Sequence, residues 1–359
     1  MDETFSVPEE LAVRVPPADM AATVNAIFCA LGMPLDRAAQ CTETLLYADR
    51  RGIDSHGVSN MFPYYVHDLR RGTIKADPNP TIVRETPATA TIDSDAGLGL
   101  SVAADAMRLA IAKAATVGVG TVVVTNGRHF GAAAYHAHLA AERGYIGMAM
   151  TVGGIQVLPT FGSQPMLGLN PIAVAVPSRR RAPFVFDASM SAVAGNKIRI
   201  ARRLGNPVKP GWIAESDGTP VMDSRPVPEQ FHMLPLGATR DLGSHKGYGL
   251  AMIVDVLCGM LAGTGPGYAN VGNISHHCSA YRIEAFCDPE WFLDQMDRYL
   301  DDLAACPPAP GHERVLYAGQ LEAETEADRN QRGIPYHRDV VQYFVELADE
   351  LNVACPLPR

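Results

Sequence analysis

The chain reads as an α/β protein, and three observations predict that class. β-branched runs that end in turn residues recur through its middle, as in "ATATIDSD" (88–95) and "GVGTVVVTNG" (118–127). Between these two lies an alanine-rich, helix-like stretch at 102–115, so strand and helix patterns alternate. The composition can fill a core between such layers: of 359 residues, 47% are apolar and 19% charged.

The elements follow in order. Residues 18–50 predict two helices. Asp19 is placed to cap the first, 32–36 turns the chain, and Asp36 is placed to cap the second. A polar, glycine-bearing loop follows, "RRGIDSHGVSN" (50–60), then a helix over 61–70 and a break at Pro78 and Pro80. From residue 81 the texture changes to strands. After the two runs above, "GYIGMAMTVG" (144–153), "NPIAVAVP" (170–177) and "APFVFDAS" (182–189) predict three more. Residues 248–261 predict a helix, 280–288 a strand, and 289–304, 322–332 and 340–352 three further helices.

Charge and composition exclude several function classes. The net charge is −9, and the one basic block is Arg179 to Arg181, which reads as a solvated turn. A chain without a basic face is not expected to take nucleic acid as its main partner, whereas a small anionic substrate needs only one or two local cations. The longest apolar run, 248–263, is broken by Asp255 and falls short of the ~20 residues a membrane span requires, so no membrane partner is expected. The opening MDETFSVPEE lacks a charged n-region and an apolar h-region. Seven scattered cysteines without a CxxC pair predict reduced thiols in a cytoplasmic protein, and no structural zinc.

Several motifs invite chemistry. "IDSDAGLGLSVAADAM" (92–107) has a strand before it and a helix after it, with Gly97 and Gly99 spaced as in a dinucleotide loop. The third glycine position is Val102, and no acid closes the following strand, so the Rossmann fingerprint fails. "TNGRHFGAAAYHAHLA" (125–140) holds three histidines. His136 and His138 are two apart on a helix and face different ways, and no cysteine or carboxylate completes a set, so no metal site is expected. His129 differs: it follows a strand end and an Asn126-Gly127 turn and precedes small residues that leave room for a ligand. That strand edge is where open α/β sheets bind ligands, and imidazole exchanges protons near neutral pH. Local pattern leaves catalysis and a structural hydrogen bond both open for it. Lys246 sits between glycines at a helix start, suited to an anion or merely solvated. Asp187 ends a strand, suited to a ribose hydroxyl or to capping the next helix.

These pieces occur together in one known arrangement. "RGIDSHGV" (51–58), "GRHFGAAAYHA" (127–137), "PTFGSQPMLGLNPIAVAVP" (159–177), "FVFDASMSAVAGNKI" (184–198), "GSHKGYGLAMIVDVLCGMLAG" (243–263) and the tail at 308–334 resemble the malate/L-lactate dehydrogenase family of NAD(P)-dependent oxidoreductases. That family also holds ureidoglycolate and sulfolactate dehydrogenases and piperideine-2-carboxylate reductase. The resemblance implies the family's own α/β fold, with a nicotinamide site that lacks the Rossmann fingerprint. It implies a helical N-terminal part with the substrate loop at 1–80, joined by C-terminal helices at 309–359, and a nicotinamide-binding domain at 81–308. It implies a homodimer, NAD or NADP as cofactor, and His129 as the general acid/base. Arg51, His56, Asn60 and Tyr64 fall in the substrate region. Asp187, Ala188, Ser189, Lys246, Gly319 and Gln320 fall on cofactor-binding positions.

Three departures bear on the substrate. Asn60 stands where the family commonly has an arginine that holds the substrate carboxylate, and Asn cannot form that charged bidentate pair. Leu169 replaces a frequent threonine, and Gln320 a glutamate. Arg51, Lys246 or another cation would then hold a carboxylate, or the substrate would lack one. The resemblance implies hydride transfer to a 2-oxo acid or from a 2-hydroxy acid. Alternatives are a cyclic imine reductase of the same fold, a Schiff-base lyase using Lys246, and a non-catalytic ligand-binding relative. Arg179 to Arg181 are a further candidate, to read a 2′-phosphate.

Overall fold

The computed structural model describes residues 7–270 and 272–359. The chain enters through strand β1 (Ala12–Val15) and three helices, α1 (Pro17–Ala30), α2 (Leu35–Arg50) and α3 (Val58–Arg71). The predicted caps are corrected here. Pro16 and Pro34 precede the two helices, and Asp19 and Asp36 lie inside their first turns, where a carboxylate still meets the positive helix end. In α3 the apolar positions Val58, Met61, Phe62, Tyr65, Val66 and Leu69 recur at helical spacing and are buried.

The sheet region comprises β2 (Thr81–Glu85), β3 (Thr89–Asp93), α4 (Gly99–Val117), β4 (Val119–Gly127), α5 (Ala133–Ala141), β5 (Tyr145–Thr151), β6 (Ile172–Val176) and β7 (Phe184–Ala188). Then come α6 (Gly195–Leu204), a small hairpin of β8 (Ile213–Ala214) and β9 (His232–Met233), α7 (Ser244–Val254), β10 (Ile274–Arg282) and α8 (Pro289–Ala304). The chain closes with α9 (Gln320–Arg332), β11 (Ile334–His337) and α10 (Arg338–Glu350). Among the described residues the main sheet has seven strands in the order β2-β3-β4-β10-β5-β6-β7. Only β3 and β4 pair in parallel, joined by the α4 crossover; the other neighbours run antiparallel.

Two boundaries differ from the sequence reading. The strand expected at 280–288 lies at 274–282, and the chain then turns through a short 3-10 segment, Ile283–Ala285. The helix expected at 248–261 begins four residues earlier, at Ser244, and continues as a π-helical turn over Asp255–Met260. β1, β2, α6 and β11 carried no expectation.

Separate apolar clusters hold the parts together. One joins α1, α2 and α3 to β11 and α10, with Phe28, Phe62, Phe344 and Tyr336 at its centre. Another lies between the sheet and the alanine-rich faces of α4 and α5. Small side chains permit this close packing, and Gly99 shows how close it is. A Cβ there would sit 2.5 Å from the Arg128 carbonyl and 2.7 Å from Phe130 Cβ. The glycine that failed as a phosphate loop is needed so that α4 can approach the segment carrying His129.

Candidate active site

A cleft of about 1250 Å³ runs between the helical part and the sheet edge. Its walls come from the 51–56 loop, α3, residues 128–134, the ends of β5 and β7, α6 and the start of α9. One residue before the end of β4, Asn126 is in the left-handed region at φ 54°, and this turn delivers His129 to the cleft.

His129 is fixed by two contacts at one nitrogen. The Tyr65 hydroxyl lies 2.6 Å from Nδ1, and the Gly131 N–H donates to the same atom at 3.3 Å. Among the described residues the other ring nitrogen makes no hydrogen bond. The His56 ring lies nearly parallel to it, centroids 5.8 Å apart and planes 10° apart. Ser55 Oγ holds His56 Nδ1 at 2.9 Å. Burial pushes His129 down to about 3, with His56 and His136 adding to the effect. Burial likewise pushes His56 down to about 4, and the nearby Lys197 charge contributes. Both rings are neutral at pH 7.

Opposite charges mark the cleft's ends. Lys197 and Arg199 of α6 line it beside His56 and Tyr64; Arg199 donates to the Tyr64 hydroxyl at 2.9 Å and lies over that ring at 5.1 Å. Asp187 and Glu322 line it at the β7–α9 side. Burial raises Asp187 to about 6, and Glu322 adds to the rise. Asp187 Oδ2 accepts the Ala134 N–H at 2.8 Å. The cap expected on the following helix therefore falls on α5, whose own N-cap residue is Ala132 and offers no side-chain acceptor.

The sequence-predicted residues divide. His129, His56, Tyr64, Arg51, Asp187, Ala188, Ser189 and Gly319 all line the cleft. Arg51 is only 4% exposed and is engaged by Glu326 at 2.7 Å, which ties the 51–56 loop to α9. Asn60, Lys246 and Gln320 are not among the cleft-lining residues. Asn60 donates to the Asp54 carbonyl at 2.6 Å and accepts from Arg203 at 2.6 Å, so its amide is spent within the loop and α6. Lys246 is exposed at the start of α7, without the desolvation a Schiff-base lysine needs. Gln320 opens α9 and donates to Glu324.

The other histidines and the arginine block are also placed. His136 is fully buried, its Nε2 2.7 Å from the Phe130 carbonyl. Among the described residues no group of three or more His, Cys, Asp or Glu could hold a metal ion. The Arg179–Arg181 turn is not free to read a phosphate: Asp297 accepts all three backbone N–H groups, and the side chains pair with Glu290, Asp297 and Asp301 of α8.

Sequence reasoning missed Tyr65, Lys197 and Arg199. Tyr65 lies on the buried stripe of α3, where a phenol requires a partner for its polar tip, and that was a usable signal. Lys197 and Arg199 required recognising α6, which begins at a glycine with no side-chain cap.

The fold and cleft define an α/β enzyme whose ligand site is built without a Rossmann fingerprint. The family model for malate/L-lactate dehydrogenase matches residues 15–345. The chain is 36% identical over 356 residues to the malate dehydrogenase of Pyrococcus abyssi, covering 96% of this chain and 97% of that one. It is 30% identical over 327 residues to the ureidoglycolate dehydrogenase (NAD(+)) of Escherichia coli, covering 88% and 90%. The structure of malate dehydrogenase from Pyrococcus horikoshii superposes with a TM-score of 0.89 at 32% identity, covering 98% of this chain and 99% of that one. The chain belongs to the malate/L-lactate dehydrogenase family and is an oxidoreductase of CH–OH groups.

Proposed function

We propose that the protein is an NAD(P)-dependent dehydrogenase that interconverts a 2-hydroxy acid and its 2-oxo acid, with His129 as general acid/base. The observation that carries this reading is the His129 imidazole at the end of β4, held at Nδ1 by both Tyr65 and Gly131 and lining a large cleft.

The cleft fits the cofactor. At about 1250 Å³ it exceeds the roughly 300–1,000 Å³ of sites for drug-sized ligands, leaving room for a dinucleotide and a small acid together. Asp187, Ala188, Ser189 and Gly319 would hold the cofactor, and bound nicotinamide would supply or accept the hydride. Asp187 uses one oxygen on α5, which leaves the other for a hydroxyl or amide.

The chain's own residues handle the proton and the substrate. Neutral His129 is suited to take the hydroxyl proton in oxidation; the imidazolium returns it to the oxygen in reduction. A bound carboxylate nearby raises the ring's proton affinity toward working pH. With Asn60 turned into the loop, Lys197 and Arg199 are the cations beside His56 that face such a carboxylate. Arg51, His56 and Tyr64 complete that end.

We infer a homodimer from the half-exposed apolar residues Leu250, Ile253, Val256 and Met260 along α7 and its π turn. Sedimentation of wild type and Ile253→Asp tests it; a dimer that persists in the variant rejects this face. Among the described residues no helix is long and apolar enough to cross a membrane, and all seven cysteines are free.

The test is NADH and NADPH oxidation against 2-oxo acids, oxo amides and cyclic imines. Turnover of 2-oxo acids is expected. Turnover of imines alone moves the reading to C=N reduction, and tight nicotinamide binding without any turnover moves it to a non-catalytic relative.

A further inference from the structure

Tyr65 is 2% exposed; it packs in the apolar cluster that α3 shares with α1, α2 and α10 and also forms part of the cleft wall. Among the described residues its hydroxyl's only hydrogen-bond partner is His129 Nδ1, at 2.6 Å. A phenol can donate or accept. If it accepted from an Nδ1–H, its own proton would be left buried without an acceptor, which costs about 1–3 kcal/mol. The Gly131 N–H has no such choice: it donates to Nδ1, at 3.3 Å, so in the resting protein that atom presents a lone pair.

We propose that Tyr65 is a positioning residue that sets the tautomer of His129. As donors, Tyr65 and Gly131 keep Nδ1 unprotonated and place the ring's proton on Nε2, facing the cleft. The resting enzyme then meets an incoming carbonyl oxygen with a hydrogen-bond donor. In the substrate complex the ring gains a proton at Nδ1 and the same hydroxyl rotates to accept it: in reduction the imidazolium gives its Nε2 proton to the oxygen and is left as the Nδ1–H form, and in oxidation that form, with Nε2 bare, takes the hydroxyl proton, so the imidazole keeps one orientation throughout. This rests on the assignment of His129 as the acid/base.

The groups that face His129 set the expected pH effect. His56 stacks on it from the substrate loop, with Lys197 of α6 beyond. Tyr65 faces it from α3, His136 acts on it from α5, and His276 senses it from β10. Arg128, its neighbour in the chain, is turned to the Thr73 and Gly127 carbonyls. Only the Tyr65 contact changes in Tyr65→Phe. Tyr65 donates to the neutral ring and accepts from the protonated one, so losing it unbalances the two forms and moves the acid limb of the oxidation profile.

Two measurements test this. Nitrogen-15 NMR of the wild-type protein at neutral pH, with His129 assigned through His129→Gln, should show an unprotonated Nδ1 and a protonated Nε2. The Tyr65→Phe variant should lower kcat about tenfold, the effect of one hydrogen bond, with the acid limb shifted and nicotinamide affinity unchanged. A wild-type ring protonated at Nδ1 overturns the proposal. So does a folded variant with wild-type kcat and pH profile. The NMR result needs neither turnover nor the variant, so it stands apart from any failure of the dehydrogenase reading.

Discussion

His129 and His276 lie close together, at the end of β4 and on its neighbour β10, with the Phe130 ring flat on His276 at 4.9 Å and 7°. Burial drives both imidazoles down to about 3. By titration they are indistinguishable; by their surroundings they are not. His276 is fully buried, its Nδ1 2.8 Å from the Thr151 hydroxyl and its Nε2 enclosed. His129 has one nitrogen anchored and lines the cleft. A lowered imidazole pKa therefore marks burial, and only a ring nitrogen left for a ligand marks chemistry.

The comparison is sharpest in a pair of variants. His129→Gln should reduce turnover about a hundredfold or more while the thermal midpoint and nicotinamide affinity stay close to wild type. His276→Phe should do the reverse, losing about 1–3 kcal/mol of stability while each folded molecule keeps its activity. Loss of turnover in a stable His276→Phe protein would break the distinction.

Acid stability comes next. His56, His129, His136, His138 and His276 have folded values of about 4, 3, 4, 4 and 3 against an ordinary 6.5. Below 6.5 the unfolded chain takes protons that these folded rings refuse, so stability falls as pH drops from about 6.5 toward 4. Asp49 and Asp187 act oppositely: raised to about 7 and 6, they take protons first in the folded state and add stability as pH drops toward 3.8. Among these groups the histidines prevail, so urea midpoints should fall across that window. A flat or rising midpoint would contradict the shifts.

Smaller effects separate the ends of the cleft. Arg199→Met should raise KM for a carboxylate substrate about tenfold, the worth of a charged hydrogen bond, with kcat little changed; an unchanged KM would remove α6 from substrate binding. Asp187→Asn keeps an acceptor for the Ala134 N–H, so stability should hold and nicotinamide affinity weaken a few-fold. A large drop in stability would mean that the charge, and not the cap, matters at α5.

What the sequence revealed follows the same division. The β3–α4–β4 crossover was legible because its apolar runs and its alanine-rich helix repeat at the periods of strand and helix. β10 was misplaced because "ISHHCSAYR" looks polar. In the fold it is a central strand whose side chains find partners: His276 with Thr151, His277 with Ser279, and Ser279 with Thr121. Long-range hydrogen bonds of this kind have no local signature. His129 was legible from its turn and the small residues after it. The direction of Asn60 was not, because it depends on Arg203, 143 residues away, on a helix the sequence did not announce.

The central claim is hydride transfer in a cleft where His129 handles the proton. Its most direct test is mass spectrometry of the 2-hydroxy acid formed from a 2-oxo acid with nicotinamide deuterated at either face of C4. One of the two cofactors should deliver its deuterium to C2, and His129→Gln should slow that transfer about a hundredfold. No deuterium at C2 from either cofactor, or equal transfer in the variant, would contradict the account.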